Sequence, residues 1–178
     1  VNNLPVPKGV GIELNPEHLD KARENYSDRN VEFQQRDFLD EDILTSLSEF
    51  EYIVGNPPYI PIEGLDEEEK TEYKTRFETA EGRFDLFVLF FEQALNLLSP
   101  NGRLVFITPE KFEYTQTTAA LRRILASNYV KEIEHVDENA FEGRVTFPTI
   151  TVVENSNGGE TRILTRDGAE RQVSLPAD

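Results

Sequence analysis

Short apolar runs of strand length alternate with amphipathic stretches of helix length along most of this chain, and no other feature narrows its fold as much. That alternation predicts an α/β layered domain, with strand–helix–strand crossovers building a mostly parallel, doubly wound sheet and a late antiparallel strand. Residues 10–14 read as a buried strand ending in an acid, Glu13. Asn15-Pro16 then supply an N-cap and a first-turn proline for a helix through about Tyr26. Further strands are expected at 31–35, 52–55, 104–107, 130–135 and 149–153. Residues 84–98 give the clearest helix, because Phe84, Phe87, Val88, Phe91, Leu95 and Leu98 keep helical spacing. A further helix is expected at 117–127, a turn at 99–102, and a hairpin from 162–164 and 172–174. Residues 66–79 form an acidic, exposed helix or loop.

The chain has 178 residues, which suits one domain with a sizeable core and leaves little room for two. With no cysteine, disulfides, thiolate metal sites and a cysteine nucleophile are excluded, and no other metal-binding arrangement is evident. The longest apolar run, residues 86–91, is too short to cross a membrane, and no signal-peptide pattern opens the chain, so a cytoplasmic protein is expected. His18 reads as a helix-surface residue and His135 as a strand-end residue.

The sharpest chemical signal is Asn56-Pro57-Pro58-Tyr59, directly after the apolar strand Tyr52-Ile53-Val54-Gly55. In open α/β sheets, ligands bind outside the carboxyl ends of strands, which is where this tetrapeptide falls. The two prolines donate no backbone N–H but keep stiff carbonyls. An amide side chain beside a fixed carbonyl makes two acceptors that can grip one NH₂ group. An amine on a planar base is a poor nucleophile, because its lone pair is delocalised into the ring. Accepting both of its hydrogens frees that lone pair, while Tyr59 offers a stacking face for a base taken out of its duplex. Taken alone, the tetrapeptide serves equally well as a turn after a strand.

Its surroundings tip the balance. The segment resembles motif IV of S-adenosylmethionine-dependent N6-adenine DNA methyltransferases, in particular the group that includes type IIG restriction-modification enzymes. The likeness runs from about Val10 to Val153. Gly11-Ile12-Glu13-Leu14-Asn15-Pro16 is similar to the second motif, which makes Glu13 the ribose-binding acid. Asp37-Phe38 resembles the third, implying contacts of Asp37 with the cofactor adenine amine and of Phe38 with its ring. Asp85-Leu86-Phe87 through Phe90 resembles the fifth, implying that Phe87 and Phe90 lie near the cofactor. Gly102-Arg103-Leu104-Val105-Phe106-Ile107-Thr108-Pro109, ending in Lys111-Phe112, resembles the strand that follows. Ala140-Phe141-Glu142-Gly143 looks like the eighth motif, so Phe141 is expected to stack on the flipped adenine opposite Tyr59, with Phe147 the second choice.

The resemblance implies a Rossmann-like class I methyltransferase fold over residues 1–154, with 155–178 as an extension. It also implies S-adenosylmethionine as cofactor and double-stranded DNA as partner. Plainer readings stand beside these roles. Glu13 and Asp37 also suit surface acids after strands, Phe87 and Phe90 also suit core aromatics, and residues 66–69 suit solvated surface.

The family's first motif, a glycine-rich turn, has no counterpart before Glu13, and the chain has no starting Met. The expectation is a fragment, incomplete at the N-terminus, that binds cofactor weakly alone and depends on a target-recognition domain or subunit elsewhere. Two alternatives follow: a methyltransferase acting on a glutamine amide of a protein, or a truncated domain inactive on its own.

The formal charge of −16 argues at first sight against a polyanion partner. It is unevenly spread: residues 1–50 carry −6 and 51–100 carry −7, but 101–150 only −1 and 151–178 −2. The acid is concentrated away from the segment that holds Phe141. With 12 Arg to 6 Lys, the composition suits concentrated salt, where self-repulsion is screened.

Overall fold

The computed structural model describes residues 9–27, 29–137 and 147–175, in two compact units, Val1–Ser46 and Leu47–Asp178.

The first unit is a strand–helix–strand motif. Strand β1 (Gly9–Glu13) pairs in parallel with β2 (Val31–Gln35), in a register that sets Glu13 opposite Gln35. Helix α1 (Pro16–Asn25) connects them. Its start is built as the sequence indicates: the Asn15 side chain accepts from the amides of Glu17 and His18, and Pro16 occupies the first turn, where no amide is needed. The helix buries Leu19, and beyond β2 Leu39 and Ile43 are buried as well, with Ile43 opening a short helix α2 (Ile43–Ser46). Glycine is required at position 11, because a Cβ there would lie 2.7 Å from the Phe33 ring on the neighbouring strand.

The second unit is built on a six-stranded sheet of order β3-β4-β6-β5-β7-β8. Its strands are β3 (Phe50–Gly55), β4 (Leu98–Pro109), β5 (Tyr129–His135), β6 (Pro148–Glu154), β7 (Glu160–Leu164) and β8 (Glu170–Ser174). Pairs β3–β4 and β5–β7 are parallel, while β6 runs antiparallel between β4 and β5, and β8 antiparallel to β7. Four of these six strands therefore point one way. The late antiparallel strand is the inserted β6. The expected hairpin forms as β7–β8, and β7 extends the sheet by pairing with β5.

Helix α3 (Glu67–Arg76) shows what the acidic run does. Asp66 caps it, accepting from the amides of Glu68 and Glu69, while Glu69 reaches back to the Asp66 amide. Three glutamates then occupy the first turn and Lys74 and Arg76 the last, each sign where the helix dipole favours it. Helix α4 (Leu86–Asn96) is apolar nearly all round and correspondingly buried: Phe87, Leu89, Phe91 and Ala94 are each 0% exposed. Its one carboxylate, Glu92, is buried too, and accepts from the amides of Glu78 and Thr79 and from the Thr79 hydroxyl at 2.8–3.0 Å. Helix α5 (Ala119–Ala126) links β4 to β5 through buried Leu121 and Leu125.

The turn expected at 99–102 exists inside β4 as a bulge. Register jumps from Phe50 opposite Leu98 to Tyr52 opposite Arg103, and Asn101 has a positive φ of 61°. No described helix is long and apolar enough to cross a membrane.

Candidate functional site

Strand β3 delivers Asn56-Pro57-Pro58-Tyr59 to the carboxyl end of the sheet. Its parallel neighbour β4 ends beside it, because Gly55 is in register with Phe106. Gly55 is needed there: a Cβ would sit 2.8 Å from the Phe106 ring, so only glycine lets that ring cover the strand end. Beyond Gly55 the chain leaves the ladder. Pro57 is buried, Asn56 and Pro58 are exposed and Tyr59 is half-buried.

Tyr59 ties the loop to both strands. Its Oη lies within donating distance of Asn56 Oδ1, at 2.9 Å, and of the Ile107 carbonyl at the end of β4, at 3.0 Å. Its ring packs edge-on against Phe87, with centroids 6.4 Å apart. Burial raises the Tyr59 pKa above the ordinary phenol value, so the hydroxyl keeps its proton at neutral pH. The downstream arm is strapped to the start of α4. Ile60 carbonyl accepts from Leu86 N at 2.7 Å, and Phe84 carbonyl accepts from Ile62 N at 2.9 Å.

This strap also sets Asp85, whose carboxylate pairs with Lys111 Nζ at 2.5 Å and does not cap α4. A hollow of about 260 Å³ opens beside it, lined by Pro61, Ile62, Phe84, Asp85, Lys111 and Thr117 among others.

A second cluster gathers at the same end of the sheet. In the 3₁₀ turn Glu110–Glu113 that follows β4, Glu113 receives His135 Nε2 at 3.0 Å and the Thr149 hydroxyl at 3.3 Å. His135 Nδ1 faces the Leu164 carbonyl at 3.3 Å, so the cluster joins the ends of β4, β5 and β7 to the start of β6. Burial pushes the Glu113 pKa up, against the opposing pull of His135. A carboxyl whose folded pKa is raised favours folding while neutral; that contribution is present below the unfolded value and is lost as pH rises through the folded one. Glu113→Gln is therefore expected to melt no lower than wild type at pH 7.5 and to flatten the decline of melting temperature with pH above 4.5. Thermal melts across that range check it, and a clearly lower melting temperature at pH 7.5 would count against it.

In the first unit, Glu13 is half-buried at the end of β1, with Oε1 accepting from Asn15 N at 2.8 Å and His18 Nδ1 4.0 Å away. Asp37, just past the end of β2, is half-buried and accepts from Leu39 N at 2.8 Å, and Phe38 beside it is half-buried too. The motif thus sets an acid at the carboxyl end of each of two adjacent parallel strands, an acceptor set suited to the hydroxyls and amine of a nucleoside.

Residues 9–141 match the Eco57I restriction-modification methylase family. The chain belongs to that family. It is 32% identical over 140 residues to the type II methyltransferase M.PaeR7I of Pseudomonas aeruginosa, an alignment covering 77% of this chain and 24% of that protein. It is 34% identical over 167 residues to the type II methyltransferase M.BstVI of Geobacillus stearothermophilus, covering 83% of this chain and 30% of the relative. The chain thus spans about a quarter of the length of these curated relatives. Among solved structures, the methyltransferase subunit of a type I restriction-modification system from Streptococcus thermophilus superposes with a TM-score of 0.69 at 17% identity, over 94% of this chain and 39% of that one. The fold is the Rossmann-like class I methyltransferase fold, α/β with mixed strands added to parallel ones.

The family match takes in Glu13, Asp37, Phe38, Asn56, Tyr59, Phe87 and Phe90, and ends at Phe141. Asn56, Tyr59 and Phe87 come together in the second unit with Pro57 and Pro58 between the first two, Phe87 fully buried behind the Tyr59 ring and Phe90 half-buried. Phe141 lies outside the described residues. Phe147 is 42% exposed, and its ring is covered by the Arg166 guanidinium at 4.9 Å from the centroid. Sequence reasoning missed the Asp85–Lys111 pair and the partners of His135. It also missed Glu92, although a lone acid inside an otherwise apolar helix was a usable signal.

Proposed function

We propose that this chain is catalytic machinery of a DNA methyltransferase that moves a methyl group from S-adenosylmethionine to the exocyclic N6 of an adenine flipped out of double-stranded DNA, within a restriction-modification or phage-defence system. The observation that carries the reading is an exposed Asn56 amide beside Pro57, at the carboxyl end of β3, held by Tyr59. The type II methyltransferase names of the relatives support it.

In this reading Asn56 Oδ1 and the Pro57 carbonyl accept the two amine hydrogens and draw the nitrogen toward tetrahedral geometry. Pro58 keeps the loop stiff. Tyr59 presents one face to the base and Phe141 the other. Glu13 and Asp37 receive the cofactor's ribose hydroxyls and adenine amine, with Phe38 against the adenine ring. Bound there, S-adenosylmethionine supplies a methyl group on a positive sulfonium. No strong base is needed, because the nitrogen becomes acidic once methylated and loses its proton to water. Orientation and preorganised acceptors carry most of the rate gain. Residues 1–154 form the catalytic portion and 155–178 an extension. A target-recognition part outside these residues supplies most of the grip on DNA, since phosphate contacts favour positive charge and this chain carries a formal −16. With DNA as its substrate, the protein works in the cytoplasm in this reading.

The test is to incubate the intact protein with methyl-labelled S-adenosylmethionine and either adenine-containing duplex DNA or a glutamine-bearing protein substrate. Label on N6-methyladenine after nucleoside digestion is expected. Label confined to the protein would move the reading to glutamine N5 methylation, and no label in either would remove it.

A further inference from the structure

The Tyr59 hydroxyl has two oxygen neighbours and one proton. Asn56 Oδ1 at 2.9 Å and the Ile107 carbonyl at 3.0 Å are both at hydrogen-bond distance, yet a phenol donates only once. Whichever oxygen receives the proton, the other would face phenolic lone pairs at contact range. The two ends of an amide are almost the same size. A half-turn of the Asn56 terminal torsion therefore exchanges oxygen for nitrogen without disturbing the packing. With Nδ2 turned inward, Asn56 donates to Tyr59 Oη, Tyr59 donates to the Ile107 carbonyl, and each group meets its complement.

We infer that the Tyr59 hydroxyl, anchored on the Ile107 carbonyl, is a positioning group that sorts the two ends of the Asn56 amide and turns its oxygen outward. The inference rests on the amine-methylating reading above and deepens it. An incoming amine brings two donors, so an amide presenting its own NH₂ would meet donor with donor. Stacking alone asks only for an aromatic ring at position 59; the hydroxyl adds polarity to the site. The anchor is rigid because Ile107 belongs to β4, held by β3 on one side and β6 on the other. The ring is braced edge-on by buried Phe87.

The experiment compares wild type, Tyr59→Phe, Asn56→Asp and the double variant in the intact protein. Tyr59→Phe keeps the ring and removes the sorting hydrogen bond. Its kcat should fall about five- to tenfold, the worth of one net hydrogen bond, while KM for DNA stays within about twofold. A carboxylate has an acceptor at either end, so in the Asn56→Asp background the same change should cost little further rate. A loss of packing alone would cost as much in both backgrounds. Independently of turnover, one Asn56 side-chain amide proton should exchange slowly in NMR spectra of wild type and lose that protection in Tyr59→Phe. Equal kcat for Tyr59→Phe and active wild type, or amide exchange that the variant leaves unchanged, overturns the inference. A wild type that labels no amine removes the functional reading, while the amide exchange still decides the orientation.

Discussion

Replacing Asn56 by alanine should lower methyl transfer about 10²- to 10³-fold, the usual cost of deleting one preorganised polar group from a reacting centre. The variant should melt close to wild type, because Asn56 is exposed and follows the last residue of β3. Tyr59 retains its bond to the Ile107 carbonyl, so the loop keeps its anchor. In the proposed reading, the change removes one of two acceptors for the target amine and leaves the Pro57 carbonyl alone. Single-turnover rates on duplex DNA, paired with calorimetry of cofactor binding, separate chemistry from binding. Cofactor affinity should be unchanged, since in the proposed reading the cofactor is held by Glu13 and Asp37 and not by Asn56. A variant that retains transfer within a few-fold of wild type would remove Asn56 from the reaction and return the tetrapeptide to a plain turn.

Local patterns carried much of the fold into the sequence. Residues 31–35 form a strand with the expected limits, and Asn15-Pro16 start α1 as their chemistry dictates. The expected helix at 84–98 is shorter at both ends for reasons outside its own periodicity. At its start, residues 84–86 are drawn into pairing with the arm after Tyr59. At its end, Leu98 already belongs to β4. Strand order was not legible either: β6 lies between β4 and β5, and β7 pairs with β5 across a long sequence interval. The tetrapeptide stood out because the residue types that its proposed chemistry needs lie within four consecutive residues. The His135 cluster was not, since its partners Glu113, Thr149 and Leu164 are at least fourteen residues away in sequence and meet only when four strand ends converge. A lone histidine at a strand end gives no sign of that.

The other large effect expected is on stability, at Phe91. This side chain is 0% exposed, and its ring meets Phe106 edge-on at 5.0 Å and Phe112 at 6.0 Å. It therefore joins α4 both to β4 and to the turn after it. Phe91→Ala should cost about 3–5 kcal/mol, as buried Phe-to-Ala changes do, because rigid neighbours cannot collapse into the space. Against a total stability of roughly 5–15 kcal/mol, that is a large share, and it should lower the melting temperature by about 10 °C or more. Phe91→Leu keeps most of the volume and should cost clearly less. Function should feel the same change. Phe106 covers Gly55 at the end of β3, and the next residue on β4, Ile107, anchors Tyr59. A Phe106 ring free to drift into the cavity loosens both supports of the tetrapeptide. Phe91→Ala should thus lose transfer rate even at temperatures where it remains folded, whereas a core change remote from β4 should not. Urea and thermal unfolding, with turnover measured well below the transition, check both parts. A loss under about 1 kcal/mol would mean that the α4–β4 contact is not the support described, and wild-type turnover in the folded variant would uncouple this core from the loop it carries.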